Sequence, residues 1–325
     1  MAIQFHVGAG QTYATVGSAV TAIAALYGSV WPSEPVDLIV HGTVDEGAYL
    51  SIVGFTPTLA NPFTIRGYTG RDYDRGIIHY LMIGTAHTRF RDITEQSSLG
   101  DQIEPSGSAL STTLRFSRVK LVGLDVETYQ GIITGEILLE NCLQIGSLWG
   151  ILNLRYNTVV STGGLCIVRN CISDNTIFSS QAGVEINGGN VIIDNNTAMN
   201  GPVVNTLGYV LTFTAGGLYI RNNIAKRASG LLVDFGPSVV VPTVMNKNRY
   251  SHQVGAFRVG GVTYNTIADW RTAISGDANS TVGDPGIDSN GRLLSSSVCI
   301  GAGLDLHADA LSPFDTDYDG QSRPS

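Results

Sequence analysis

LLENCL at 138–143, CIVRNCI at 166–172, VIIDNNTA at 191–198 and LYIRNNIA at 218–225 are one phrase written four times. In each, apolar residues precede a charged residue, then Asn, then Cys or Asn. The asparagines, Asn141, Asn170, Asn195 and Asn222, are spaced 29, 25 and 27 residues apart. A degenerate fifth copy, VMNKNRY at 244–250, puts Asn248 26 residues beyond Asn222. A period in the twenties marks a solenoid in which each repeat is one coil. Coils of β-structure stack about 4.8 Å apart, so equivalent positions form a column. Asn suits such a column because its amide both donates and accepts, and because it tolerates the left-handed backbone of a corner. The five asparagines are therefore expected to be a structural ladder at the turns, bonding along itself.

The rest of the chain agrees with this reading. From Val36 onward, short β-type runs such as DLIVHGTV, PFTIRGY and TLRFSRVKLVGLDVE alternate with Gly, Asn, Asp or Pro. Strands without intervening helices mean a sandwich, a barrel or a solenoid, and the repeat selects the last. Before them, TVGSAVTAIAALY at 15–27 places Val16, Val20, Ile23 and Tyr27 on one helical stripe. Thr15 is the expected N-cap, and Gly28 the expected terminator in a positive-φ conformation. A short amphipathic helix there serves as a plug over the first coil. The expected fold is all-β, a right-handed parallel β-helix with an N-terminal capping helix and an irregular C-terminal cap. Its parts are a cap over 1–35, the β-helix over 36–252 and a C-terminal cap and tail over 253–325, all one structural unit. Two stretches depart from the pattern. Residues 85–113 are polar and look too long for a turn, which suggests a functional loop or contact surface. TIADWRTAI at 266–274 reads as a short capped helix, and the tail beyond Asp277 should pack along the side of the solenoid or over its last coil.

Bulk properties exclude several classes. A formal charge of −8 and a pI near 5.1 argue against nucleic acid as a main ligand. Lys120, Lys226 and Lys247 are the only lysines, so no polybasic membrane patch exists. No apolar run approaches the roughly 18 residues of a membrane span. Met1–Gly10 shows neither a positive n-region nor an apolar h-region, so no signal peptide is expected. Four cysteines in such a chain, Cys142, Cys166, Cys171 and Cys299, read as free thiols. Cys142 and Cys171 follow corner asparagines, so they should be stacked neighbours too far apart for a disulfide.

Two resemblances follow from quoted residues. GAGQTYATVGSAVTAI at 8–23, and the order NKNRYS (246–251), FRVGGVTYNTIADWRTAISGDANSTVGDPGI (257–287) and FDTDYDGQSRP (314–324), resemble the entry and exit of right-handed β-helix proteins. That fold hosts lyases, hydrolases and non-enzymes alike, so it implies no single activity. More narrowly, the opening helix, TIRGYTGRDYDRGIIHYLMIG at 64–84 and RFSRVKLVGLDVE at 115–127 resemble β-helix proteins among tailed-phage structural genes. The resemblance implies a virion component, a capsid decoration (cement) or tail protein, assembled in the host cytoplasm and commonly trimeric.

Candidate chemistry is sparse. Polysaccharide lyases of this fold resemble one another in using acidic Ca²⁺ clusters with an Arg or Lys base. The outward candidates here are Arg118, Lys120, Asp125, Glu127, Glu140, Arg169, Glu185, Asp194 and Arg221. Any β-helix places outward charges in columns, however, and Arg169, Asp194 and Arg221 alternate in sign at one repeat position. They read as a cross-coil ion-pair ladder. The six histidines show no H-x-H or H-E-x-x-H spacing, so zinc is not expected. Asp315, Asp317 and Asp319 with Gly320 have calcium-loop spacing without the distal Glu, and capping turns or pairing with Arg323 would use them equally well. The expected protein is thus a non-enzymatic virion structural protein, with no catalytic residues and no cofactor, calcium at the tail aspartates being the less favoured reading. Its partners would be itself, as a homotrimer, and the major capsid protein or another virion protein. The alternative is a tailspike-like polysaccharide lyase or glycoside hydrolase, or a glycan-binding module, whose partner would be a host glycan.

Overall fold

The computed structural model of the 325-residue chain describes all residues except 43, 45–49, 53, 69–76, 79–80, 84–87, 92–93, 97–101, 106–108, 111–112, 123–124, 130–131, 147–149, 156–157, 181–183, 207–210, 237–241, 319–320 and 323–325. Within some strands only the backbone is described, Asp125 and Glu127 among them.

One coil shows the construction. Glu136–Glu140 runs in a first sheet, Leu143–Ile145 in a second and Leu152–Arg155 in a third, before Leu165–Arg169 returns to the first. Repetition gives a parallel β-helix whose three sheets, here A, C and B in coil order, hold 13, 9 and 10 described strands. Register is set by the period-2 alternation. In sheet A, Leu139, Val168, Ile193 and Ile220 pair in sequence and are buried, while their neighbours Glu140, Arg169, Asp194 and Arg221 point outward. Slipping any coil by one residue would bury that charged row, so the pattern pins the register.

The corner between sheets A and C explains the repeated phrase. Asn141, Asn170, Asn195 and Asn222 take φ of 55, 52, 56 and 58°. The left-handed residue turns the chain, and the residue after it faces inward. Arg118 and Lys247 occupy the same corner in other coils, with φ of 54 and 56°. Asn248 therefore does not belong to the corner column. Arg221 pairs with Asn246, which puts Lys247 beside Asn222 and Asn248 beside Asn223, one residue further in.

Residues 85–113 also differ from expectation. Their described parts are strands: Thr88–Arg91, Thr94–Gln96 and Gln102–Pro105, paired with coils on either side, and Ala109–Leu110, paired with the following coil. Phe90 is fully buried and stacks on Phe116 with centroids 4.9 Å apart. Its inward partner Thr88 is polar, which thinned the alternation and made a coil look like a loop.

The ends are closed differently. Helix α1, Val16–Tyr27, is N-capped by Thr15 in a capping box with Ser18 and buries Val16, Ala19, Val20 and Ile23 against the first coils. Gly28 is right-handed, with φ of −60°, not the positive φ expected. Glycine is needed there for space, since a Cβ would lie 2.5 Å from the Ala24 carbonyl oxygen and 2.9 Å from that of Gly54. At the far end, α2 (Ile267–Ile274), N-capped by Thr266, lays Trp270 over Phe235 and Phe257 with stacked rings. The tail beyond it turns back along the outside of the coils.

Candidate functional site

Three consecutive residues of each coil, outward, corner and inward, create three parallel columns, and the chemistry of the surface follows from them. The outward column on sheet A holds Glu140, Arg169, Asp194 and Arg221. Arg169 Nη2 lies 2.9 Å from Glu140 Oε2, and Arg221 forks onto Asp194 at 3.0 and 2.6 Å. The alternating charges thus form two rungs of neighbours. Arg115 and Glu136 add another at 2.6 Å.

The tail closes over these rungs. Arg221 also reaches Asp309 at 2.5 Å, and Arg169 donates to Ser312 Oγ and the Pro313 carbonyl while lying over the Phe314 ring. Corner asparagines grip the tail backbone. Asn222 donates to the Leu304 carbonyl at 2.9 Å and accepts its N–H at 2.7 Å, and Asn170 donates to the Thr316 carbonyl at 2.7 Å. These asparagines fix the strap's backbone without reading its side chains, while Asp309, Ser312 and Phe314 supply the sequence-specific part of the grip.

One guanidinium between two carboxylates divides their protonation. Burial pushes Asp194, fully shielded from solvent, up to about 6, against the pull of Arg221. Burial also raises the more exposed Asp309, but the hydrogen bond and charge of Arg221, with the Ser312 and Leu311 N–H groups, together outweigh that and hold it below the ordinary value. Burial works against the charge of Arg221, yet its two carboxylate partners raise it overall. A carboxyl titrating near neutrality is a frequent mark of an active site. Here it has no access to solvent, and its oxygens are committed to Arg221, so it serves as a clasp.

The inward column is a hydrogen-bonded series. Asn196 donates to Asn223 Oδ1 at 3.1 Å, and Asn223 to Asn248 Oδ1 at 3.1 Å. The same oxygens accept backbone N–H groups, Asn223 from Asn196 at 3.0 Å and Asn248 from Asn223 at 2.9 Å, and Asn196 Oδ1 accepts from Cys171 at 2.9 Å. Bonding along the coils, expected at the corner, is thus found one residue inside it. Cys171 and Cys142 continue the column with sulfur, Cys142 N–H lying 3.4 Å from Cys171 Sγ. Both thiols are free and buried, and burial pushes Cys171 well above its ordinary value, which makes it inert as a nucleophile.

Other sequence candidates fall elsewhere. Arg118 is a corner residue, Lys120 is on sheet C, and Glu185 is on the early part of the Val184–Asp194 strand. Asp125 and Glu127 lie on a sheet B strand, with side chains outside the described residues. Asp317 Oδ1 accepts the Gln321 N–H at 2.8 Å and so caps a turn, Asp315 is exposed, and Asp319, Gly320 and Arg323 lie outside the described residues.

A row that the sequence reading missed runs along the outer side of sheet B. Asn153, Ser179, Asn205, Asp234 and Arg258 are paired in register. Ser179 donates to Asn153 Oδ1 at 3.0 Å, and Arg258 forks onto Asp234. Four residue types share the five positions, and the two asparagines are not in adjacent coils, so no repeated phrase marks it.

No protein-family model and no curated protein matches the chain. Among solved structures, the pectin methylesterase of Aspergillus niger in deglycosylated form is 14% identical, with 91% of each chain covered and a TM-score of 0.35. Escherichia coli ybhc is 11% identical over 90% of this chain and 80% of its own, with a TM-score of 0.30.

Proposed function

We propose that the chain is a non-catalytic structural component of a tailed-phage virion, a capsid decoration or cement protein acting as a homotrimer. The observation that supports this most is how the outer face of sheet A is used. Its charges close on one another through Glu140–Arg169 and Asp194–Arg221, and the tail is fastened across them. Side chains fixed in this way stiffen a body; they do not await a ligand. The phrase resemblances to phage structural proteins supply the virion setting. Apolar side chains exposed at both ends of the chain, Leu26 and Val30 near the cap and Leu293, Val298 and Ile300 on the tail, offer contact to the major capsid protein or another virion protein. Several equal subunits would multiply weak contacts into firm attachment. A calcium ion held by Asp315, Asp317 and Asp319 belongs to the same proposal and predicts a higher melting temperature on calcium addition.

The test is location. Quantitative mass spectrometry of purified particles should find the protein at hundreds of copies on the head. A few copies on the tail, with reducing sugar released from a host glycan, would replace this reading with the glycan one. The latter draws on the sheet B row, where the half-buried Asn205 and Arg258 could meet the hydroxyls of a chain laid along the rod.

A further inference from the structure

The first coils bring together two histidines that lie 35 residues apart in the chain. Parallel pairing of Ile3–Val7 with Val36–Val40 sets His6 opposite Ile39 on the outer side of sheet A, and His41 follows the second strand directly. Gly8, with φ of 130°, lets His41 approach, because a Cβ there would collide with the His41 carbonyl oxygen. His6 Nδ1 lies 2.8 Å from His41 Nε2. Tyr68, from the next coil, stacks on the His41 ring with centroids 3.9 Å apart and is 52% exposed. Arg66, opposite Ile39, is tied to Asp37 at 2.9 Å, which offsets the charge beside the pair.

We propose that His6 and His41 form a two-histidine chelate on the surface for a divalent transition-metal ion of tetragonal preference, Cu²⁺ or Ni²⁺. Nitrogens bound at about 2.0 Å in cis positions of such an ion lie about 2.9 Å apart, whereas tetrahedral zinc sets them about 3.3 Å apart. The two nitrogens already have the shorter spacing, but with ring centroids 5.1 Å apart the rings point at one another, so each must turn to aim its lone pair at a common ion. In the neutral pair one ring donates a proton to the other across that contact. On binding, the donor ring carries its proton on its outer nitrogen instead, both inner lone pairs face the ion, and no net proton is released. Water fills the remaining positions. Tyr68 acts as a positioning residue by restricting rotation of the His41 ring.

The experiment titrates Cu²⁺, Ni²⁺ and Zn²⁺ separately into the full chain by calorimetry at neutral pH, and reads the Cu²⁺ complex by electron paramagnetic resonance. One ion per chain with two imidazole nitrogens is expected, with Ni²⁺ bound more tightly than Zn²⁺. His6→Ala and His41→Ala should each weaken binding by about tenfold or more, whereas His307→Ala, at an exposed tail residue, should leave it unchanged. Fewer than two imidazole nitrogens in the wild-type spectrum overturns the proposal whether or not the variants fold. So does His41→Ala binding as tightly as wild type, or no stoichiometric binding at all. Zinc matching nickel would overturn the tetragonal preference.

Discussion

The two ends of this solenoid are stopped by opposite chemistry. At the first coil, α1 covers the core with Val16, Ala19, Val20 and Ile23, all apolar and buried. At the last, a buried carboxylate does the closing. Asp277 accepts from Tyr250 Oη at 3.0 Å, Trp270 Nε1 at 3.1 Å and Asn248 Nδ2 at 3.4 Å, and from Ser280 Oγ. The difference follows from what reaches each end. From Val119 the inner corner column runs through Cys142 and Cys171 to Asn196, Asn223 and Asn248, so among these described residues the amides lie in the late coils. Each of these asparagines hands a donor to the next coil, and the last must hand it to something beyond the coils. An apolar lid there would leave buried donors unpaired, at about 1–3 kcal/mol each. The lesson is that a repeated polar column dictates the chemistry of its own stopper.

Substitutions at the two ends sharpen the contrast. Asp277→Ala should be the most damaging, by about 3–5 kcal/mol, because four donors lose their acceptor together. Urea unfolding measures it, and a loss under about 1 kcal/mol would mean that the polar knot is not what closes this end. Ile23→Ala, which leaves a void under the helix, should lower stability by about 2–4 kcal/mol in the same assay. Asn223→Ala interrupts the column that feeds the knot and should lower it by about 1–3 kcal/mol, with amide exchange rising first in the coils around Asn196 and Asn248. Thr15→Ala removes only the cap of α1 and should lower stability by about 1 kcal/mol, with faster exchange confined to the helix.

Acid should separate the ends with the smallest effect and with opposite signs. Burial, and then the neighbouring His6, lower His41 below its ordinary 6.5. A base depressed in the folded state loses stability as pH falls through 6.5, so the first coils should loosen. Burial raises Asp277 above 3.8 despite its four hydrogen bonds. An acid raised in the folded state is relieved of that strain as pH falls through its folded value, so the last coils should not loosen with the first. Hydrogen exchange at pH 7 and pH 5, corrected for intrinsic rates, tests this; equal loosening at both ends would erase the distinction.

How far the sequence revealed this architecture depends on whether a position repeats its letter. Four corner asparagines do, and they gave the solenoid and its coil length. The fifth copy misled by one residue, because VMNKNRY offers two asparagines around Lys247 and the corner accepts the lysine. One residue is the whole distance between facing out and facing in. Residues 85–113 concealed a coil because Thr88 stands where an apolar residue would have completed the alternation. The grip on the tail left no trace, since Asn170 and Asn222 bind backbone carbonyls that every residue possesses. The sheet B row and the His6–His41 contact were equally silent, as both depend on register in coils without a shared phrase.

The strap has a consequence for how the molecule is made. Asn222 meets Leu304 across 82 residues and Asn170 meets Thr316 across 146. During translation the coils can stack one upon another as they leave the ribosome, each resting on its predecessor. The strap is synthesised after all of them and docks backward over work already finished. A nascent chain that stalls or is cut short before it would carry every coil yet lack the clasp, with Arg221 and Asp194 left bare. Fastening is thus possible only once the chain has been made as far as Thr316, after every coil it crosses.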